Sequence, residues 1–218
     1  FPATDEAFAN YFRANGMNGS GAEFVHGLPA SQKRYLFNTT MLNMAYLSNM
    51  LANITSGTDG LGEGTAVRRV SSATYLDTVP YLSYGNMPKT GFWKRFEKKG
   101  GTYLADNGDR MSVFFTPQFF STIGLTESDW NVIAKGWNMP WDKSGFYVNG
   151  IHVQGTNKDV TCKNGYLHLA DGVVTPLPNM AEVITSTPEV SQFAELLDMF
   201  SFPYYDGGVH SNLSATYG

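Results

Sequence analysis

Between Val160 and Leu169 the chain alternates apolar and polar residues on either side of Asn164-Gly165, and no other stretch restricts the fold so tightly. Alternation with period two places successive side chains on opposite faces of a strand. Asn-Gly tolerates the left-handed backbone that a two-residue type I′ turn demands. The segment is therefore predicted to be an antiparallel hairpin turning at Asn164-Gly165, with Tyr166, His168 and Ala170 on one face and Leu167 and Leu169 buried on the other. A further strand is expected over 146–153. Met111, Val113 and Phe115 alternate in the same way after the polar turn Asp106-Asn107-Gly108-Asp109.

Helical patterns lie on both sides of this strand-rich middle. Thr4 precedes the acidic pair Asp5-Glu6 and the apolar residues Phe8, Tyr11 and Phe12, and Gly16 follows, so a capped helix is predicted there. Leu28 to Phe37, with Pro29 near the first turn, predicts a second helix, and Leu47, Met50, Leu51 and Ile54 mark one face of a third. Thr116-Pro117 starts another helix, and Thr126 with Asp129 caps one that carries Trp130 and Ile133. Thr187-Pro188 opens a helix with Phe193, Leu196, Leu197 and Phe200 on one face, which Pro203 stops. From Tyr204 to Gly218 no period is evident, and a loop or linker is predicted. Segregated helices with a mostly antiparallel sheet make an α+β fold.

Composition narrows the function classes. Hydrophobic residues at 42% and aromatics at 14% are enough for a packed interior. A net charge of −4 argues against binding a phosphate backbone, so nucleic acid is not an expected partner. The single cysteine, Cys162, excludes an internal disulfide and is read as an apolar filler. None of the histidines, His26, His152, His168 and His210, stands in a metal-ligand pattern with another His or a Glu, so neither a metal nor any other cofactor is expected. No GxSxG, P-loop or GxGxxG occurs. Asp77, Glu97, Asp106, Asp109 and Asp171 offer carboxylates for a glycosidase-like pair, but no spacing couples them. The Asp106–Asp109 turn lacks the ligand series of a calcium loop. His168 is read as an imidazole bonding a neighbouring backbone or Asp171, with a contact-surface role as the alternative. In 89–99, Lys94, Arg95, Lys98 and Lys99 surround Phe92, Trp93 and Phe96, as on an amphipathic helix that is solvated or contacts a polyanion or glycan.

Three segments resemble the fasciclin-domain family. FPATDEAF (Phe1 to Phe8) is similar to the family's first box. NGYLHLADGVVTPLP (Asn164 to Pro178) resembles the second, with His168 and Asp171 three apart before a terminal proline run. FYVNGIHV (Phe146 to Val153) is like the strand that precedes it. The resemblance covers most of residues 1–184 and implies an antiparallel sheet wedge or sandwich with helices packed on it. It departs from the family in two places. No histidine stands near Phe37 to Thr40, so the adhesive role of the family's Tyr-His pair does not carry over, and about 86–145 reads as an insertion. Residues 185–218 read as a linker and the opening helix of a second fasciclin repeat. The chain also starts inside the first box, so residues are expected before Phe1, and Phe1 itself is expected to be buried or paired.

The resemblance implies a non-enzymatic binding module, secreted or surface-anchored as in bacterial lipoproteins with tandem fasciclin domains, that contacts a protein or glycan. A bacterial outer membrane or periplasm is the expected location. The alternative is a glycan-binding accessory subunit of an outer-membrane uptake complex, or a glycan-active enzyme. All four tryptophans, Trp93, Trp130, Trp137 and Trp141, fall in the expected insertion. Trp137 and Trp141 flank a proline in an expected surface loop and are the candidate contact residues, with Trp93 and His168.

Overall fold

The computed structural model describes residues 1–16, 21–28, 30–52, 68–73, 81–83, 101–103, 110–135, 139–200 and 205–217. In chain order the elements are α1 (Asp5–Ala14), α2 (Gly21–Gly27), α3 (Ala30–Thr39), α4 (Ser48–Leu51), β1 (Arg68–Val70), β2 (Tyr81–Ser83), β3 (Gly101–Tyr103), β4 (Met111–Phe115), α5 (Pro117–Thr122), α6 (Glu127–Ile133), β5 (Phe146–Val148), β6 (Ile151–Val153), β7 (Val160–Cys162), β8 (Gly165–Leu167), α7 (Met180–Ser186), α8 (Ser191–Phe200) and α9 (Gly207–Tyr217). The mixture of helices with antiparallel strands agrees with the α+β reading. The chain divides into two compact units, one of Phe1–Ala73 with Asp109–Leu177, the other of Thr74–Gly108 with Pro178–Gly218.

In the first unit β1, β4, β5 and β6 form an antiparallel sheet in that order. Adjacent residues of β4 serve different cores, because successive side chains leave a strand on opposite faces. Phe114 packs with Leu51, Phe146, Val148, Val153, Ala170 and Val174. Phe115 packs with Phe119, Phe120, Trp130 and Tyr147. All three residues of β5 are buried, so this strand is covered on both sides. The stretch read as an insertion contributes β4, α5 and α6, and with them most of the cluster around Trp130, which Ala52 and Tyr147 complete.

Local chemistry explains the helix starts. The Thr4 hydroxyl accepts from the Ala7 N–H, and Gly16 stands at φ +76° after α1. Thr116 caps α5 with Pro117 in its first turn, and Thr126 with Asp129 forms the predicted capping box of α6. The third helix is shorter than its pattern: α4 spans four residues, and Ile54 lies outside the described residues. Phe1 is half-buried, its ring 5.3 Å from Phe114 and its backbone nitrogen donating to the Thr40 carbonyl at 2.7 Å.

Two strand predictions need correction. The stretch 146–153 is a hairpin, β5 and β6, and not one strand: Val148 faces Ile151 across Asn149-Gly150, both in the left-handed region at φ 49° and 83°. The conformation expected at Asn164-Gly165 is found at this other Asn-Gly pair. The Asn149 carboxamide holds the turn by accepting from the Val113 N–H and donating to the Thr175 carbonyl. The β7–β8 hairpin does form, but Cys162 pairs with Gly165, so its loop is Lys163-Asn164 and neither residue has positive φ. The buried face is also reversed. His168 and Ala170 are in the core, while Leu167 and Leu169 are half-buried. Ala170 is drawn inward by a parallel bridge to Ala3 and a bond from its N–H to the Pro2 carbonyl. Cys162, expected as a core filler, is exposed on β7.

In the second unit β2 and β3 pair antiparallel, and α7 packs on α8. Asn179 and Glu182 form a capping box on α7. A 3-10 turn over Pro188–Val190 leads into α8. The region after Tyr204, predicted as a loop, contains the helix α9. The Asp206 carboxylate accepts from the N–H groups of Gly208 and Val209 and so supplies the start signal that the Gly-rich composition concealed.

Candidate functional site

The densest ionisable cluster in the described residues is centred on His152 of β6. Its Nε2 lies 2.9 Å from Asp142 Oδ2 and its Nδ1 2.9 Å from Asp171 Oδ2. Both contacts are hydrogen bonds only when both ring nitrogens carry protons, since each carboxylate can only accept. Asp142 is turned toward the ring by its own loop, whose Ser144 N–H and Oγ–H both donate to Oδ1. Gln154 donates to both oxygens of Asp171. Gly145 is required here: a Cβ would stand 2.4 Å from both Asp142 Oδ2 and the Val153 carbonyl. Gly155 lets Ser144 approach in the same way.

The electrostatics follow from these contacts. Burial opposes ionisation of Asp142, but bonds from Ser144, His152 and Gly145 outweigh it and hold the carboxyl well below its usual range. Tyr147, whose ring lies 5.0 Å from His152, has its pKa raised by burial and by the two carboxylates. Its hydroxyl donates to the Pro140 carbonyl. The cluster is poorly arranged for catalysis. Asp142 and Asp171 occupy both ring nitrogens of His152, and the Ser144 hydroxyl is bound to the carboxylate instead of the imidazole. The trio clasps the 142–145 loop and the Asp171 bend to the sheet. Nothing in the sequence pointed to it, because His152 stands 10 residues from Asp142 and 19 from Asp171. Asp171, a reading for the partner of His168, binds His152.

The candidate contact residues fare differently. His168 is 3% exposed and is removed from any contact surface. The Asp159 N–H donates to its Nδ1 at 3.2 Å and its Nε2 donates to the Tyr46 carbonyl at 3.1 Å, so the ring is the neutral Nε2–H tautomer. Burial lowers its pKa against the opposing pull of Tyr46 and Asp159. Phe1 stacks on it at 5.2 Å. The backbone-bonded imidazole anticipated from sequence is thus present, but deeper than expected. Trp141 is half-buried, its ring 5.5 Å from Phe120 and 5.9 Å from Trp130, with its Nε1 buried and unpartnered. It packs against the aromatic core and keeps part of its surface exposed. Trp93 and Trp137 lie outside the described residues, as does the basic stretch 89–99.

The surface that stands out is in the second unit. Phe193, Leu196 and Phe200 of α8 are 50%, 48% and 73% exposed, with Leu197 half-buried between them. Their spacing places all four on one side of the helix. Met180 and Val183, three apart on α7, are exposed too.

No protein-family model, curated protein or solved structure matches the chain. Its chemistry is read from its own residues. Among the described residues no group of three or more His, Cys, Asp or Glu side chains is placed to hold a metal ion, and no helix is long and apolar enough to cross a membrane.

Proposed function

We propose that the chain is a fasciclin-type binding module that works at a cell surface by contacting a protein partner, without turnover chemistry. The observation that carries this reading is the exposed face of Phe193, Leu196 and Phe200. Apolar side chains at helical spacing usually cover a core, and those left in water as a contiguous stripe mark a contact surface. Two further observations support it. Carboxylates occupy both ring nitrogens of His152 in the densest ionisable cluster. The two segments that resemble the fasciclin boxes are neighbours in space, joined through Ala3 and Ala170. A cell-surface location rests on the resemblance.

The test is attachment of source-organism cells to a surface coated with the chain. Phe193→Asp with Leu196→Asp is expected to cut attachment severalfold while the thermal midpoint stays within a few degrees. Unchanged attachment, or hydrolysis of a glycan by the pure chain, defeats the reading.

A further inference from the structure

One carboxylate in the first unit has two claimants. Asp159 stands at φ 58°, in the left-handed region that Asp enters more readily than most residues. Its N–H donates to His168 Nδ1 at 3.2 Å, while its side chain reaches Ser48. There Oδ1 accepts from the Ser48 N–H and Oδ2 from the Ser48 hydroxyl, both at 2.6 Å. Ser48 opens α4, and Leu47 before it offers no side-chain cap, so a carboxylate 111 residues away supplies the missing first-turn acceptor. The same Oδ1 lies 3.9 Å from His168 Nδ1. That nitrogen can accept from the Asp159 N–H only while it carries no proton.

We propose that His168 and Asp159 form an acid-operated switch: when Nδ1 takes up a proton, the Asp159 carboxylate turns from Ser48 to the imidazolium and releases the start of α4. The proton turns an acceptor into a donor, so the Asp159 N–H loses its partner on the ring. The new Nδ1–H finds Oδ1 about 1 Å beyond hydrogen-bond distance, and that oxygen is the one the Ser48 N–H holds. The rest of the ring's surroundings offer no rival acceptor. Nε2–H stays on the Tyr46 carbonyl, and Phe1 and Phe146 present aromatic rings at 5.2 and 5.5 Å. The charged groups facing His168 are Asp159, which favours the proton, and Lys158 and the Phe1 amino group, which oppose it. Burial opposes it most, so the ring charges below the ordinary histidine value of about 6.5. Asp159, whose burial is outweighed by its bonds from Ser48, is still ionised there. The release is local. Leu51 at the far end of α4 remains fully buried, and Arg69 bonds the Met50 and Leu51 carbonyls. The switch lies within the first unit and does not depend on the contact surface of α8.

The experiment is an NMR titration of the whole chain from about pH 7.5 to about pH 4.5 that reads the His168 ring nitrogens and the Ser48 amide together. The ring is expected to pass from the Nε2–H tautomer to imidazolium, and the Ser48 amide proton to lose its downfield shift at the same midpoint. Hydrogen exchange at Ser48, corrected for the intrinsic effect of pH, should lose at least about tenfold of its protection while the amides of β4 and β5 keep theirs. Asp159→Asn removes the receiving charge and is expected to lower the His168 midpoint by about one unit, whereas Ser48→Ala weakens the competing claim and should raise it. A ring that titrates without the Ser48 amide, protection at Ser48 lost only together with that of β4 and β5, or a Ser48 midpoint that follows the Phe1 amino group overturns the switch. So does a His168 midpoint unmoved by both substitutions. Circular dichroism reports whether the variants fold, and the titration of the unsubstituted chain decides the question if they do not.

Discussion

α6 and α8 are both short helices with large apolar residues, yet Trp130 of α6 is 1% exposed and Phe200 of α8 is 73% exposed. The difference is one of neighbours, not of residue type. Trp130 meets Phe115, Phe120 and Tyr147 at ring separations of 5.2 to 5.6 Å, and its Nε1 donates to the Met139 carbonyl at 2.8 Å. Amphipathic spacing tells a helix which side to bury but supplies nothing to bury it against. In the first unit the second face of a sheet provides that cover, whereas α8 packs on α7 and the 3-10 turn before it and leaves Phe193, Leu196 and Phe200 exposed.

The largest effect should come from testing this contrast directly. Trp130→Ala removes a buried ring and a buried hydrogen bond and is expected to cost about 3–5 kcal/mol in urea denaturation. Phe200→Ala should stay within about 0.5 kcal/mol. Comparable losses at the two sites would show that α8 is covered in solution and would end its role as a free surface.

Acid should sharpen the contrast by acting on the first unit. His168 is held neutral with its pKa lowered, whereas in the unfolded chain an ordinary histidine takes up its proton near pH 6.5. As pH falls through that value the unfolded state binds a proton that the folded state resists, so stability drops. Asp159, lowered because bonds from the Ser48 N–H and hydroxyl outweigh its burial, acts in the same direction further down. Its contribution is present above the ordinary carboxylate range and is lost below about pH 4. The urea midpoint is expected to fall between about pH 7.5 and about pH 5, and His168→Gln, though less stable throughout, should flatten that slope. A slope that persists in His168→Gln would assign the acid sensitivity to another group.

The smallest effect is expected at Trp141. Its buried Nε1 has no partner, so Trp141→Phe removes an unsatisfied donor while keeping most of the ring, and stability should change by less than about 1 kcal/mol, with a gain as the favoured direction. A loss above about 2 kcal/mol in the same urea assay would mean that the indole N–H is bonded.

Much of the helical architecture was legible in short-range chemistry. Thr4, Thr116 and the Thr126–Asp129 pair act within four residues of themselves, so their consequences can be read without knowing the fold. The amphipathic face of α8 was legible for the same reason, and its exposure was not. The β5–β6 hairpin was missed although Asn149-Gly150 had the right turn chemistry, because two Asn-Gly pairs stood in similar surroundings and β4 pairing decided which one curled. At β7–β8 the alternation was correct and its inward side was not. Period two assigns residues to two faces, but only the strand end at Ala3 bonding to Ala170 selects His168 and Ala170 as the buried set.

By itself the sequence determined where α1, α5 and α6 start, which residues share a face, how far charge is segregated toward residues 178–218, and the absence of an internal disulfide. Tertiary structure alone decided that His168 is a core residue, that Trp141 joins an aromatic cluster, and that His152 is clasped by Asp142 and Asp171. The physical reason is range. Caps, turns and periodicity are set by neighbours within a few residues, whereas burial and ion pairing depend on which distant segment arrives, and in a chain with a single cysteine only packing and hydrogen bonding choose that segment.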